Sequence, residues 1–154
     1  MRLQSANTIV IATAAAALAS CGSEPGTPTQ ATALAVAASD ASLKWGACPP
    51  IFPQGCEITV LHGDPSKPNA DVFLRVPGKY VIPAHWHTSA ERMVLVTGRL
   101  EVSYKGQTAT TLDAGTYAYG PAKQPHKGVC LSDEPCTLFI AFEGAVDGHA
   151  GGME

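Results

Sequence analysis

The sequence predicts an all-β domain, an antiparallel sandwich or barrel. Three observations predict it: short runs rich in β-branched and aromatic residues, turn residues between those runs, and no sustained 3.6-residue period after Leu43. The runs are Glu57–Leu61, Asp71–Val76, Arg92–Thr97, Leu100–Tyr104, Thr116–Tyr119 and Thr137–Phe142. Between them stand Gly63-Asp64-Pro65, Pro77-Gly78, Thr97-Gly98-Arg99, Lys105-Gly106 and Asp113-Ala114-Gly115. With 15 glycines and 12 prolines in 154 residues, the composition suits short strands and tight turns better than long helices. A chain of this length has room for one compact domain. Its formal net charge of −3, with no arginine-rich or aromatic-interleaved patch, excludes nucleic acid as an expected partner.

Taken in order, residues 1–20 read as an export signal: Arg2, an apolar stretch from Ile9 to Leu18, then small residues. The stretch ends Leu18-Ala19-Ser20-Cys21, which resembles the lipobox of bacterial lipoproteins. That resemblance implies a diacylglycerol on Cys21 and a domain held at the periplasmic side of the bacterial envelope. Each buried acyl methylene contributes about 0.8 kcal/mol to that anchoring. Gly22, rather than an aspartate, follows the cysteine and resembles sorting to the outer membrane. The apolar stretch falls short of the ~20 residues a spanning helix needs, and no later segment approaches that length. Residues 21–43 carry almost no large apolar side chains and read as a flexible tether. The folded domain is expected over 44–147, followed by a flexible Gly-rich tail, 148–154, that contains His149.

Apart from Cys21, four cysteines remain, and an even number in an exported chain suggests disulfides. The sequence-local pairing is Cys48–Cys56 with Cys130–Cys136, each closing a short loop that contains proline. Four cysteines allow three pairings, and the sequence does not choose among them. A zinc–thiolate site is the rival, weakened by the lack of any Cys-x-x-Cys spacing. The run Met93-Val94-Leu95-Val96 is apolar on both faces of its strand. One face can fill a barrel; the other needs cover from a second layer or a second copy of the chain, so a homodimer is an open expectation.

The chemistry concentrates at His85-Trp86-His87. Alternate residues of a strand share a face, so the two imidazoles point together and can chelate a divalent ion. Thr88-Ser89-Ala90 leads to Glu91, a carboxylate for a third bond, and His126 closes Gly120-Pro121-Ala122-Lys123-Gln124-Pro125. Each has a plainer reading: a core or surface histidine pair, and a solvated Glu91 beside Arg92. Met93 shares a face with Glu91, and Tyr117 and Tyr119 share another, so these residues are candidates to line a pocket; strand aromatics are more often core. Lys123 can offer charge to an anionic ligand or simply sit in solvent.

The spacing Gly78, His85-Trp86-His87, Glu91, six residues, Gly98, followed by Gly115, five residues, Pro121 and then His126, resembles the paired motifs of the cupins. Small single-domain members of the ChrR-like kind are similar, also in the Gly63–Pro68 turn. The spacer before His85 is one residue longer than usual, Lys123 stands at a usual glycine, and Cys130 stands where asparagine is common. The resemblance covers roughly residues 57–142 and implies a double-stranded β-helix jelly-roll barrel. It also implies a metal held by His85, His87, Glu91 and His126, with open positions for a small-molecule ligand or substrate. Zn, Fe, Mn, Ni and Co all tolerate these ligands, so the sequence names none. Cupins host many chemistries. Two functional readings follow: a metal-dependent dioxygenase acting on a small diketone or phenolic substrate, or a non-catalytic ligand-binding or sensor module.

Overall fold

The computed structural model describes residues 32–154. The expected export signal, Cys21 and the expected tether up to residue 31 lie outside them. The strands are β1 (Gly46–Ala47), β2 (Glu57–His62), β3 (Ala70–Val76), β4 (Val81–Trp86), β5 (Glu91–Thr97), β6 (Arg99–Tyr104), β7 (Thr110–Asp113), β8 (Tyr117–Gly120), β9 (His126–Cys130), β10 (Cys136–Phe142) and β11 (His149–Ala150). They form two antiparallel sheets, a six-stranded one ordered β1-β2-β3-β10-β5-β8 and a five-stranded one ordered β11-β4-β9-β6-β7. Among the described residues, no helix is long and apolar enough to cross a membrane.

Apolar patterning decides where each strand lies. Cys136–Phe142 is almost wholly apolar, and β10 sits at the middle of its sheet, paired to β3 on one side and β5 on the other. Strand β5 alternates: Glu91, Met93 and Leu95 are buried, while Arg92 is exposed. On its outer face Val94 stands in register with Phe139 and Tyr117, and Phe139 meets Phe73 edge to face at 6.3 Å. Neighbours in the same sheet therefore supply part of the cover that the apolar run requires. Between the sheets lies the core, in which Val72, Val76 and Leu95 are fully enclosed and Leu100, Leu112, Leu138, Ile140 and Phe142 complete the packing. Each such side chain contributes about 1.5–3 kcal/mol by leaving water.

Of the three cysteine pairings, the sequence-local one forms: Cys48 with Cys56 and Cys130 with Cys136. The first pins the Pro-rich arm ahead of β2. The second joins the end of β9 to the start of β10, so it fastens one sheet to the other.

The C-terminal segment differs from expectation. Residues 148–154 do not form a flexible tail: β11 pairs with β4, His149 opposite Trp86 and Ala150 opposite His85. The Gly151 N–H donates to the Ala84 carbonyl at 2.8 Å, and the His149 ring stacks on Trp86 at 4.1 Å. The glycines serve close approach here. A Cβ on Gly148 would come within 2.9 Å of Ile51, and one on Gly152 within 2.7 Å of Pro125. The described end of the tether also turns, with the Ser42 N–H donating to the Asp40 carboxylate at 2.8 Å.

Candidate metal centre

Three strands bring the site together. Strand β4 carries His85 and leads straight into His87, β5 opens with Glu91, and β9 opens with His126. Pro83 has no N–H to give a ladder, and the β4–β9 register shifts between Ile82 and His85. The irregularity leaves the Pro83 carbonyl free to meet the His85 Nδ1 at 2.8 Å. His126 Nδ1 meets the Gln124 carbonyl at 3.1 Å, and His87 Nδ1 meets the Asp147 carbonyl at 2.5 Å. A carbonyl oxygen only accepts, so each Nδ1 carries the ring proton and donates. Each Nε2 is left with a bare lone pair, as in metal-ligating imidazoles whose other ring N–H donates to a carbonyl.

Those lone pairs converge. One ligating nitrogen from each of His85, His87 and His126 lies within 4.8 Å of the others, a group able to hold a metal ion. Glu91 closes the cluster, its Oε1 3.3 Å from His126 Nε2 and its Oε2 3.5 Å from His87 Nε2. All four side chains are buried, Glu91 at 2 % exposure. Among the described residues, Glu91 Oε1 has no hydrogen-bond partner. A buried carboxylate oxygen without a donor is costly, and a cation between the four groups would remove the cost. The donor set, three neutral imidazoles and one carboxylate, fits a divalent transition metal.

The site's charge states follow from burial. Desolvation lowers His85 to about 4 and His126 to about 3, with the neighbouring imidazoles adding to it, and also holds His87 below the usual histidine value. Desolvation raises Glu91 to about 8. At neutral pH without an ion, the cluster is three neutral rings facing a protonated carboxyl group.

The other sequence candidates divide. Met93 lines the cavity beside Glu91. Tyr117 and Tyr119 are neither pocket nor core: they stand 58 % and 49 % exposed on edge strand β8, where the outward pleat takes both. Lys123 is exposed and does not reach the cavity. Its backbone has φ +59°, which explains why glycine is usual there, and its N–H donates to the His87 carbonyl at 2.8 Å.

Three contributors escaped the sequence reading. Phe52, on the disulfide-pinned arm, meets His85 edge to face with ring centroids 5.0 Å apart. Asp147 orients His87 through its carbonyl, and its carboxylate accepts the Thr88 N–H at 2.9 Å. Tyr104 is the third. It stands opposite His126 in the β6–β9 register, and its buried hydroxyl lacks a partner. A Cβ built on Gly120 would lie 2.7 Å from Glu91 Oε1 and 2.9 Å from the Tyr104 hydroxyl, so these two unpartnered oxygens are neighbours across the glycine. Strand alternation carried the signal, because Leu100, Val102 and Tyr104 share one face. The two make no hydrogen bond to each other here, but the hydroxyl is the polar group beside the carboxylate across Gly120. Tyr104→Phe is therefore expected to weaken metal binding about 10–100-fold without lowering the melting temperature of the metal-free protein. Competition against a chromophoric chelator measures it, and unchanged affinity would reduce Tyr104 to packing.

Residues 72–142 match the family described as Cupin domain, Cupin_2, a span running from β3 through β10. Solved structures agree on the fold. A chain from "Crystal structures of DMSP lyases RdDddP and RnDddQII" matches at 18% identity and TM-score 0.62, covering 71% of this chain and 63% of its own. DMSP lyase DddQ from Ruegeria pomeroyi DSS-3 matches at 18% identity and TM-score 0.59, covering 70% of this chain and 60% of its own. An RmlC-like cupin from Shewanella frigidimarina NCIMB 400 matches at 18% identity and TM-score 0.57, covering 69% of this chain and 87% of its own. This chain thus spans about three-fifths of the two lyase structures. No curated protein matches it by sequence. The two antiparallel sheets are the jelly roll of the cupin fold.

Proposed function

We propose that this cupin domain is the body of a bacterial envelope lipoprotein that holds one divalent transition-metal ion through His85, His87, Glu91 and His126 and binds a small molecule beside it. The observation that carries the reading is the set of three Nδ1–carbonyl hydrogen bonds, which leave three Nε2 lone pairs free in one cluster, with the Glu91 carboxylate beside those of His87 and His126. A bound ion supplies Lewis acidity and open positions for an oxygen donor. The chain's own residues do the rest. The Pro83, Asp147 and Gln124 carbonyls fix the ring tautomers, burial keeps the imidazoles neutral and competent as ligands, and the apolar wall keeps bulk water away from the cluster.

Glu91 gives the sharpest test. Its carboxyl group, raised to about 8, is mostly protonated at pH 7, whereas the histidines are already neutral. Binding Zn²⁺ at pH 7 therefore releases close to one proton, from Glu91, and the release declines toward zero as pH rises past 8. Calorimetric titration of the metal-free protein in buffers of different ionisation enthalpy measures the number. Failure to bind one equivalent overturns the reading, and release of two or more protons contradicts the assigned charge states.

The anchor rests on Leu18-Ala19-Ser20-Cys21. Cys21→Ser is expected to move the protein from the membrane fraction to the soluble fraction of its host. A variant that still sediments with membranes removes the lipid from the proposal.

A catalytic reading of the same site, oxygenation of a small diketone or phenol, draws on the largely apolar cavity wall, which would limit the access of water to reactive species. Oxygen uptake by the Fe²⁺-loaded protein over such substrates decides between catalyst and binder.

A further inference from the structure

The cavity beside the cluster carries its own chemical signature. It holds about 60 Å³ of water-admitting space, several times the roughly 10–15 Å³ that one ordered water takes on that measure. Apart from the four candidate ligands, Lys127, Asp147 and Gly128, every residue along it is apolar. Phe52 and Ile58 line it from the arm and β2, Met93 and Phe142 from beside Glu91, and Leu138 and Ile140 from β10. Lys127 is exposed, lying on the alternate face from the buried His126 and Gly128. The Asp147 carboxylate is engaged by the Thr88 N–H and by His149 at 3.1 Å. Among the described residues, Lys127 is the one cationic residue along the space, its side chain on the exposed face of β9, and no hydroxyl or amide side chain lines it.

We infer that the ligand is a small molecule with one metal-binding head and a short, uncharged, apolar body. The inference rests on the metal reading and names its ligand class. A second carboxylate on the ligand would be buried facing hydrocarbon with no partner, and the hydroxyls of a sugar would lose their water without replacement. An aliphatic body instead leaves water on both sides of the contact. Dicarboxylates, uronates and polyols are the classes this wall refuses.

Two hydroxamates share a chelating head and nearly a length, but differ at the far end: butyrohydroxamate ends in methyl and succinomonohydroxamate in carboxylate. Each is titrated into the Co²⁺-loaded full-length protein, followed by the visible spectrum of the ion, and normalised to its affinity for free Co²⁺ in the same buffer. The expected result is binding of butyrohydroxamate at least tenfold tighter. Equal or tighter binding of succinomonohydroxamate, or binding of neither, overturns the ligand class while leaving the metal site intact. If Co²⁺ itself does not bind, the metal reading falls and takes this inference with it.

Discussion

Replacing His87 with alanine is expected to abolish stoichiometric metal binding while leaving the barrel folded. His87 supplies one of the three converging nitrogens and is the ring that Glu91 Oε2 approaches at 3.5 Å. Loss of an outer partner of a ligand costs about 10–100-fold in affinity, and loss of a ligand itself exceeds that. The fold does not depend on the imidazole: the enclosed core of Val72, Val76 and Leu95 and both disulfides lie in other parts of the sequence. A ligand held at 100 times its Kd stabilises the native state by about 2.7 kcal/mol. The wild type should therefore melt several degrees higher with Zn²⁺ than without, and His87→Ala should melt at one temperature under both conditions. Elemental analysis and paired melts measure the two effects. A variant that keeps a full equivalent at wild-type affinity refutes the site.

Gly120→Ala should be nearly as damaging, although Gly120 ligates nothing. It stands opposite Glu91 in the β5–β8 register. Its new Cβ would lie 2.7 Å from both Cγ and Oε1 of Glu91, closer than carbon and oxygen tolerate. Strand pairing holds the backbone, so the carboxylate must swing away from the histidines. Overpacking costs about 1–3 kcal/mol of stability, and the displaced ligand should cost at least a hundredfold in metal affinity, more than Tyr104→Phe. The control is Gly46→Ala, whose Cβ meets nothing nearer than 3.9 Å; it should bind metal like the wild type. Wild-type affinity in Gly120→Ala would mean that Glu91 is dispensable to the site.

Much of this was legible in the residues, and the rest was hidden for definable reasons. The strands with continuous β-branched or aromatic runs, β2, β3, β5, β6, β8 and β10, match the sequence reading to within a residue or two. Strands β1, β7, β9 and β11 were not read, and of β4 only the His85-Trp86-His87 end was: β1 and β11 are two residues long, Thr110–Asp113 is short and polar, and Gly128 interrupts the apolar pattern of β9. The four candidate ligands were read from spacing, and the structure gathers them at one place. Their supports were not, since backbone carbonyls of Pro83, Gln124 and Asp147 leave no mark on side-chain patterning. Tyr117 and Tyr119 misled because period-two alternation fixes which residues share a face, not which face is inward. The tail misled because composition alone cannot distinguish glycine chosen for flexibility from glycine chosen for clearance.

The Asp147 carbonyl behind His87 sets an order of events. Some 60 residues separate the two, so the third imidazole is locked only after nearly all of the described chain has been synthesised and has folded back against His87 and Thr88. A nascent or half-threaded polypeptide offers at best a loose pair of rings. On the proposed metal reading, selection among competing ions then falls to whichever compartment the protein occupies when its last strand docks, and the metal pool of that compartment, as much as intrinsic affinity, would decide what the finished molecule carries.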